Sequence, residues 1–230
     1  VMRSSSNFGI LVALIIVSSW VLSIFFLMRW DASLKNAGTY AMVLVQMHLY
    51  TGLFITAHDA MHGTVSSNRR VNKLIGQTCT LLYALFPFQK LNSKHHLHHR
   101  FVHTQSDPDH HSGNFISWYF KFIKEYISWW QIVLMAIIYN VLKLWINELN
   151  LVLFWVVPSL LSTLQLFYFG TWQPHHGNHS NKYHSRTQSR NHLKAFLACY
   201  FFGYHYEHHD SPGTPWWRLW KLKSSGTSKA

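Results

Sequence analysis

Residues 37–62 read Ala-Gly-Thr-Tyr-Ala-Met-Val-Leu-Val-Gln-Met-His-Leu-Tyr-Thr-Gly-Leu-Phe-Ile-Thr-Ala-His-Asp-Ala-Met-His, and the first 21 of them carry no charge. A run of that length crosses a hydrocarbon core of ~30 Å as a helix. Continued by about a turn and a half, the same helix brings His58 and His62 out on one face, because residues three and four apart are helix neighbours ~5–6 Å apart. The stretch therefore predicts an all-α membrane protein that displays histidines where a spanning helix ends.

Working outward, Phe8 to Met28 is a second uncharged run of 21 residues, bounded by Arg3 and Arg29. Trp129 to Ile146 carries only Lys143, and Leu149 to Gly170 carries no charge. These runs predict four transmembrane helices in two hairpins, turning at residues 29–36 and at Asn147-Glu148. Both hairpins then open to one side, joining residues 1–7, 58–128 and 171–230. That side holds 17 of the 20 Lys and Arg and every histidine except His48. By the positive-inside rule it is the cytoplasmic side.

The length and lack of a small-residue cleavage motif in the first run predict a retained anchor. No repeat or linker divides residues 1–230, so a single membrane-embedded domain is expected, with a loose tail from Lys223. Between the spans, the largely apolar Leu74 to Phe88 is short for a crossing and predicts an interfacial or re-entrant helix. Phe115 to Ser128 interleaves aromatics with lysines, as a headgroup-level or surface amphipathic helix does. Pro158 predicts a kink in the fourth span, and the short apolar Leu193 to Gly203 lies at the interface. The net charge of +12 suits anionic lipid headgroups and an acidic redox partner. No nucleic-acid-binding motif accompanies it. Cys79 and Cys199 fall on or near the cytoplasmic side, where no disulfide is expected.

Two more clusters match the first: Lys94-His95-His96-Leu97-His98-His99-Arg100 and His205-Tyr206-Glu207-His208-His209. Neutral histidine is a mediocre helix former and adjacent charged histidines repel, so packing does not call for this density. Metal ligation does. The candidates are His58, His62, His95, His98, His99, His205, His208 and His209. Eight imidazoles exceed one tetrahedral ion and suggest two metal ions, with iron, copper or zinc all compatible with nitrogen donors. Membrane placement and the absence of a hydrolytic nucleophile pattern favour iron and O2 chemistry on a lipid-like substrate.

Carboxylates near the clusters read two ways. Asp59 either orients a ligand's second ring nitrogen or caps the helix end. Asp107 and Asp109 either orient ligands or stop the preceding helix by bonding their own backbone. Glu207 is a further candidate behind the ligands, and His103, His110 and His111 are outer groups. His48, ten residues before His58 and so ~15 Å deeper, is either a hydrogen-bonded neutral histidine or a ligand.

His58-Asp59-Ala60-Met61-His62, the His-x-x-His-His of residues 95–99 and the His-x-Glu-His-His of 205–209 resemble the histidine boxes of the membrane fatty acid desaturase/hydroxylase superfamily. Residues 52–63, Asp107-Pro108-Asp109, Phe169-Gly170-Thr171-Trp172-Gln173-Pro174-His175, residues 202–209 and Pro215-Trp216-Trp217-Arg218-Leu219 together resemble the bacterial beta-carotene ketolases over most of the chain. The boxes specify the superfamily, and the 169–175 and 215–219 stretches specify the ketolase branch. The resemblance implies a non-haem di-iron oxygenase that converts the ring C4 methylene of beta-carotene to a ketone, giving echinenone and then canthaxanthin. It assigns metal ligation to the eight box histidines and implies one more from the loop before the last box, for which His184 is chosen over His175. His96 breaks the register of its box, and His176 stands where the family commonly has Arg. No dinucleotide, flavin or haem motif occurs, so electrons are expected from an external donor, a ferredoxin meeting the basic face. The boxes and helices also allow an acyl-lipid desaturase or hydroxylase, or a carotenoid 3-hydroxylase. A His-rich metal transporter would place ligands near the bilayer midplane, and a structural metal-binding membrane protein would bind metal without turnover.

Overall fold

Asparagines set where half of the helices begin. The structure, a computed structural model, describes residues 6–224 and is all-helical over them. Its helices are α1 (Ser6–Leu27), α2 (Ala37–Met61), α3 (Arg69–Ala84), α4 (Phe88–Phe101), α5 (Phe115–Tyr126), α6 (Trp129–Leu142), α7 (Glu148–His175), α8 (His192–Cys199), α9 (His205–Asp210) and α10 (Trp216–Ser224). The side chains of Asn36, Asn68, Asn114, Asn147 and Asn191 accept first-turn backbone N–H groups of α2, α3, α5, α7 and α8, at 2.8–2.9 Å from Gly38, Arg70, Ser117, Leu149 and Lys194. Each satisfies a donor that has no partner inside its helix. Of the tail expected from Lys223, Lys223 and Ser224 instead close α10, where Lys223 pairs with Glu207, while residues 225–230 and Arg3 lie outside the described residues.

Three helices, α1, α2 and α7, are long and apolar enough to cross a membrane. The expected third span differs. The helix from Trp129 ends at Leu142, 14 residues or ~21 Å, which is less than a hydrocarbon core. It reaches a span's length only with α5, from which it is bent by 85° across Ile127-Ser128. Lys90 of α4 holds that bend, its Nζ donating to the carbonyls of Tyr126 (2.7 Å) and Ile127 (3.3 Å) and to Ser128 Oγ (3.1 Å). A cation at carbonyls left open by a helix C-terminus is favourable for both.

The fourth span has two irregularities where the sequence predicted one. Five-residue π-helical turns, Val152–Val156 and Tyr168–Trp172, precede Pro158 and Pro174. Proline has no N–H and crowds the carbonyl four residues back, and a widened turn relieves both problems without ending the helix. The result is a helix of 28 residues, ~42 Å long, whose last turn carries His175 beyond a ~30 Å core.

Around α2 pack α1, α3 and α7, burying Tyr50, Leu53 and Ile55 completely. The helix expected over residues 74–88 runs from Arg69 to Ala84 and ends at Leu85 in the left-handed conformation (φ 57°). A Cβ on Gly76 of α3 would lie 2.2 Å from the Phe88 ring, so glycine lets α4 begin directly against α3. Gly9 is tighter, because its Cβ would lie 2.2 Å from the backbone oxygen of Val65, just past the first box. Backbone cannot swing aside as a side chain can. Gly9→Ala is therefore expected to destabilise the protein by about 1–3 kcal/mol despite alanine's better helix propensity. The check is the thermal midpoint of detergent-solubilised protein against a surface Ala control.

Candidate metal centre

Two helices each divide their histidines between two groups. On α4, His95 and His99 lie four residues apart and face one way, while His98 faces another. On α9, His205 and His209 share a face and His208 takes the other. One group is completed by His58 and His62 from the end of α2, the other by His175 from the end of α7. The groups are thus His58, His62, His95, His99 and His208, and His98, His175, His205 and His209, each offering one nitrogen per ring with all nitrogens of a group within 4.8 Å of one another. The closest Nε2 pairs are His62–His95 at 2.7 Å, His99–His208, His175–His205 and His205–His209 at 3.0 Å, and His98–His209 at 3.2 Å. Nitrogens around one ion, each ~2.1 Å from it, are about this far apart. The two groups share a wall, the rings of His99 and His209 lying 4.3 Å apart.

The donor set fits a metal. Burial, reinforced by neighbouring imidazoles, holds His95, His205, His208 and His209 well below the ordinary histidine value, and lowers His62 to about 3 and His99 to about 2. Their lone pairs are therefore free of protons. Both ring nitrogens of His58 are buried without a hydrogen-bond partner, and one of them converges with the nitrogens of its group. Buried unpaired nitrogens are costly, and convergent ones are explained by a shared cation. The metal-free chain has a corresponding weakness. Below pH 6.5 the unfolded chain takes up protons that these six folded imidazoles refuse, so stability falls as pH falls; His98, raised, works the other way but is one group. A chelator-stripped sample is expected to show a lower thermal midpoint at pH 5.5 than at pH 7.5, read by fluorescence-detected size exclusion.

Behind the two histidine groups, Asp107 does both things its sequence allowed. Its Oδ1 accepts from His98 Nδ1 and from Asp109 N, each at 2.9 Å, and its Oδ2 accepts from His103 N at 2.9 Å. That bond leaves His98 Nε2 to face the other nitrogens. Burial opposes a charge on His98, but Asp109 and Asp107 outweigh it and raise its pKa. Burial also pushes Asp107 up, yet the His98 bond and charge prevail and hold it below the usual carboxylate value. Burial pushes Asp109 up.

Asp59 and Glu207 instead tie down the chain. Asp59 Oδ1 stands 3.6 Å from His58 Nδ1, while its Oδ2 accepts from Trp216 N at 2.9 Å and so anchors α10 to α2. Glu207 accepts from Thr187 Oγ1 at 2.6 Å and pairs with Lys223 at 3.2 Å.

The ninth histidine differs from the expectation. His184 lies outside both groups, at φ 43°, with its ring stacked on His103 at 5.2 Å. Its contribution is its carbonyl oxygen, which accepts from Nδ1 of His175 at 3.0 Å. His175 takes the position because α7, held helical through Pro174, ends level with the boxes. The available signal was that an apolar span running into histidine also describes α2 and His58. His48 is in neither group and stacks on Tyr200 at 4.3 Å. His96 is exposed, His176 stacks on Trp172 at 4.6 Å, and His103 and His110 lie ring to ring at 4.3 Å, with His111 beside them in the loop, all outside the two groups.

An open cavity of about 820 Å³ reaches both groups. Its walls are mostly apolar, including Phe54, Met61, Phe86, Leu91, Phe122 and Leu166, and His58, His95, His98 and His205 also line it. A second cavity, of about 1040 Å³ between α6 and α7, shares Tyr83, Phe86, Ile127 and Thr163 with it.

Nitrogen donors gathered where apolar helices end, under an apolar cavity, define a class: helical membrane proteins with a histidine-built metal site. Comparison with known proteins makes the class particular. The fatty acid desaturase family is matched over residues 36–148 and 115–225. A beta-carotene ketolase of Paracoccus sp. strain N81106 is 38% identical over 218 residues, 92% of this chain and 90% of that protein. A beta-carotene ketolase of Paracoccus sp. strain PC1 is 41% identical over 184 residues, 77% of this chain and 76% of that protein. A zeaxanthin 4-ketolase of Chlamydomonas reinhardtii is 39% identical over 241 residues, 94% of this chain and 53% of that protein. The chain belongs to the fatty acid desaturase family and, within it, to the beta-carotene ketolases. No solved structure matches it.

Proposed function

We propose that this protein is an O2-dependent carotenoid ketolase with a di-iron centre, oxidising the ring C4 methylene of beta-carotene to a ketone, through echinenone to canthaxanthin. The observation that carries the reading is the mostly apolar cavity lined also by His58 and His95 of one group and His98 and His205 of the other. A hydrocarbon ring fits such walls, and a polar headgroup does not. The polyene would continue into the second cavity between α6 and α7.

His58, His62, His95, His99 and His208 would hold one iron, and His98, His175, His205 and His209 the other. When bound, the irons supply O2 activation strong enough to break an allylic C–H bond. Each oxygenation consumes O2, two electrons and two protons, places one oxygen on C4 and releases the other as water. Two rounds give a gem-diol, which loses water to leave the ketone. The chain's own part is to orient the imidazoles, exclude water and present C4. Electrons come from outside, from a ferredoxin-like carrier meeting the basic residues of the histidine-bearing face, which we place on the cytoplasmic side of a bacterial inner membrane. A metal transporter fits less well, because the histidine groups sit at helix ends and His48, along the span, joins neither.

The test is pigment chromatography with mass spectrometry of beta-carotene-producing bacteria expressing the chain beside a His208→Ala control. Echinenone and canthaxanthin with the intact chain alone support the reading. Unchanged beta-carotene alongside folded, iron-loaded protein would sink it.

A further inference from the structure

A hydrocarbon substrate needs no hydrogen-bonding group in its pocket, yet a carboxyl group stands in this wall beside the histidines. Asp109 lines the cavity and is 9% exposed. It is held from two sides: the Tyr126 hydroxyl donates to Oδ1, and Trp118 Nε1 donates to the backbone oxygen at 2.5 Å. Tyr126 lines the same cavity. Positioning His98 does not require this carboxyl, because His98 Nδ1 is bonded to Asp107 at 2.9 Å and is 3.8 Å from Asp109 Oδ2. Among the described residues nothing donates a hydrogen bond to that Oδ2. An acceptor without a donor beside an apolar cavity is open to a ligand hydroxyl, which satisfies it.

The incoming hydrocarbon has no hydroxyl, but the product of the first oxygenation does, on the reacting carbon. We infer that Asp109, braced by Tyr126, accepts a hydrogen bond from the hydroxyl placed on C4 in the first round and so holds the alcohol at the histidine groups for the second. The contact makes and breaks no covalent bond. The oxygenations on either side draw on O2 and the two-electron donor as balanced above. Without the contact the alcohol leaves into the apolar cavity as readily as the hydrocarbon does, and the reaction stops half-way. This assignment rests on the ketolase reading.

The experiment measures the ratio of C4 alcohol to C4 ketone, together with iron per chain, in purified iron-loaded protein given beta-carotene, O2 and a reduced ferredoxin as electron donor. The variants are Tyr126→Phe, Asp109→Leu and Asp109→Asn. Loss of one hydrogen bond to a charged group raises the ratio about tenfold in Asp109→Leu, with iron content unchanged. Tyr126→Phe raises it less, and Asp109→Asn, which keeps a carbonyl acceptor, brings it back toward the wild-type value. A purely structural role lowers alcohol and ketone together and leaves the ratio unmoved. If Asp109→Leu fails to fold or to hold iron, Tyr126→Phe decides, since it adds no bulk. A wild-type ratio in Tyr126→Phe then overturns the assignment while the ketolase reading stands. A wild-type chain that forms neither product removes both.

Discussion

His175→Ala is expected to abolish ketone formation, by about 100-fold or more, and to lower the iron held per chain, whereas His184→Asn stays within about threefold of wild type. The contrast follows from which atoms point inward. Nε2 of His175 lies 3.0 Å from Nε2 of His205, inside the group that includes His98 and His209, so its loss leaves three nitrogens. His184 meets the centre only through its carbonyl oxygen, which any residue retains. Asparagine is the suitable replacement because position 184 is left-handed, with φ at 43°, and asparagine tolerates that region. Iron analysis and product yield on the same preparations check the result. Equal loss in both variants would mean that the loop around residue 184, rather than the ring of His175, carries the effect.

The second large effect is expected at Asp107. One carboxylate there accepts from His98 Nδ1, Asp109 N and His103 N, so it fixes both a ligand ring and the loop that follows α4. Asp107→Ala removes all three acceptor contacts and should lower turnover about 100-fold, near the upper end for groups that orient metal ligands. Asp107→Asn keeps one acceptor oxygen and loses the charge, for a loss of about tenfold. Asp59→Asn offers a comparison, since that carboxylate bonds the Trp216 backbone and its effect should appear first in thermal stability. Turnover per bound iron separates the cases. If Asp107→Ala matches wild type per iron, the His98 bond has no bearing on the chemistry.

Much of this site was legible from local rules. A charge-free run of helical length ending in His58 and His62 leaves few alternatives to a spanning helix with two imidazoles on one face. The same spacing marked His95, His98 and His99, and His205, His208 and His209, as candidates without saying which of them work together. The bend at Ile127-Ser128 was not legible, because it depends on Lys90, 36 residues away from Tyr126, reaching the open carbonyls of α5. Nor was the ninth nitrogen, since the choice between His175 and His184 turns on whether α7 survives Pro174.

The sequence by itself determined the all-helical class, the apolar spans, the eight box histidines and the carboxylates beside them, because each is a matter of period and polarity within a few turns of chain. Only the tertiary structure decided that the nitrogens separate into five and four, that His175 joins the four, that Asp107 orients His98 while Asp59 and Glu207 anchor the C-terminal segment, and that Asp109 faces the cavity. Those outcomes depend on how α4 and α9 are rotated against α2 and α7. That rotation is set by packing between residues 30 to 111 positions apart, which no local spacing records.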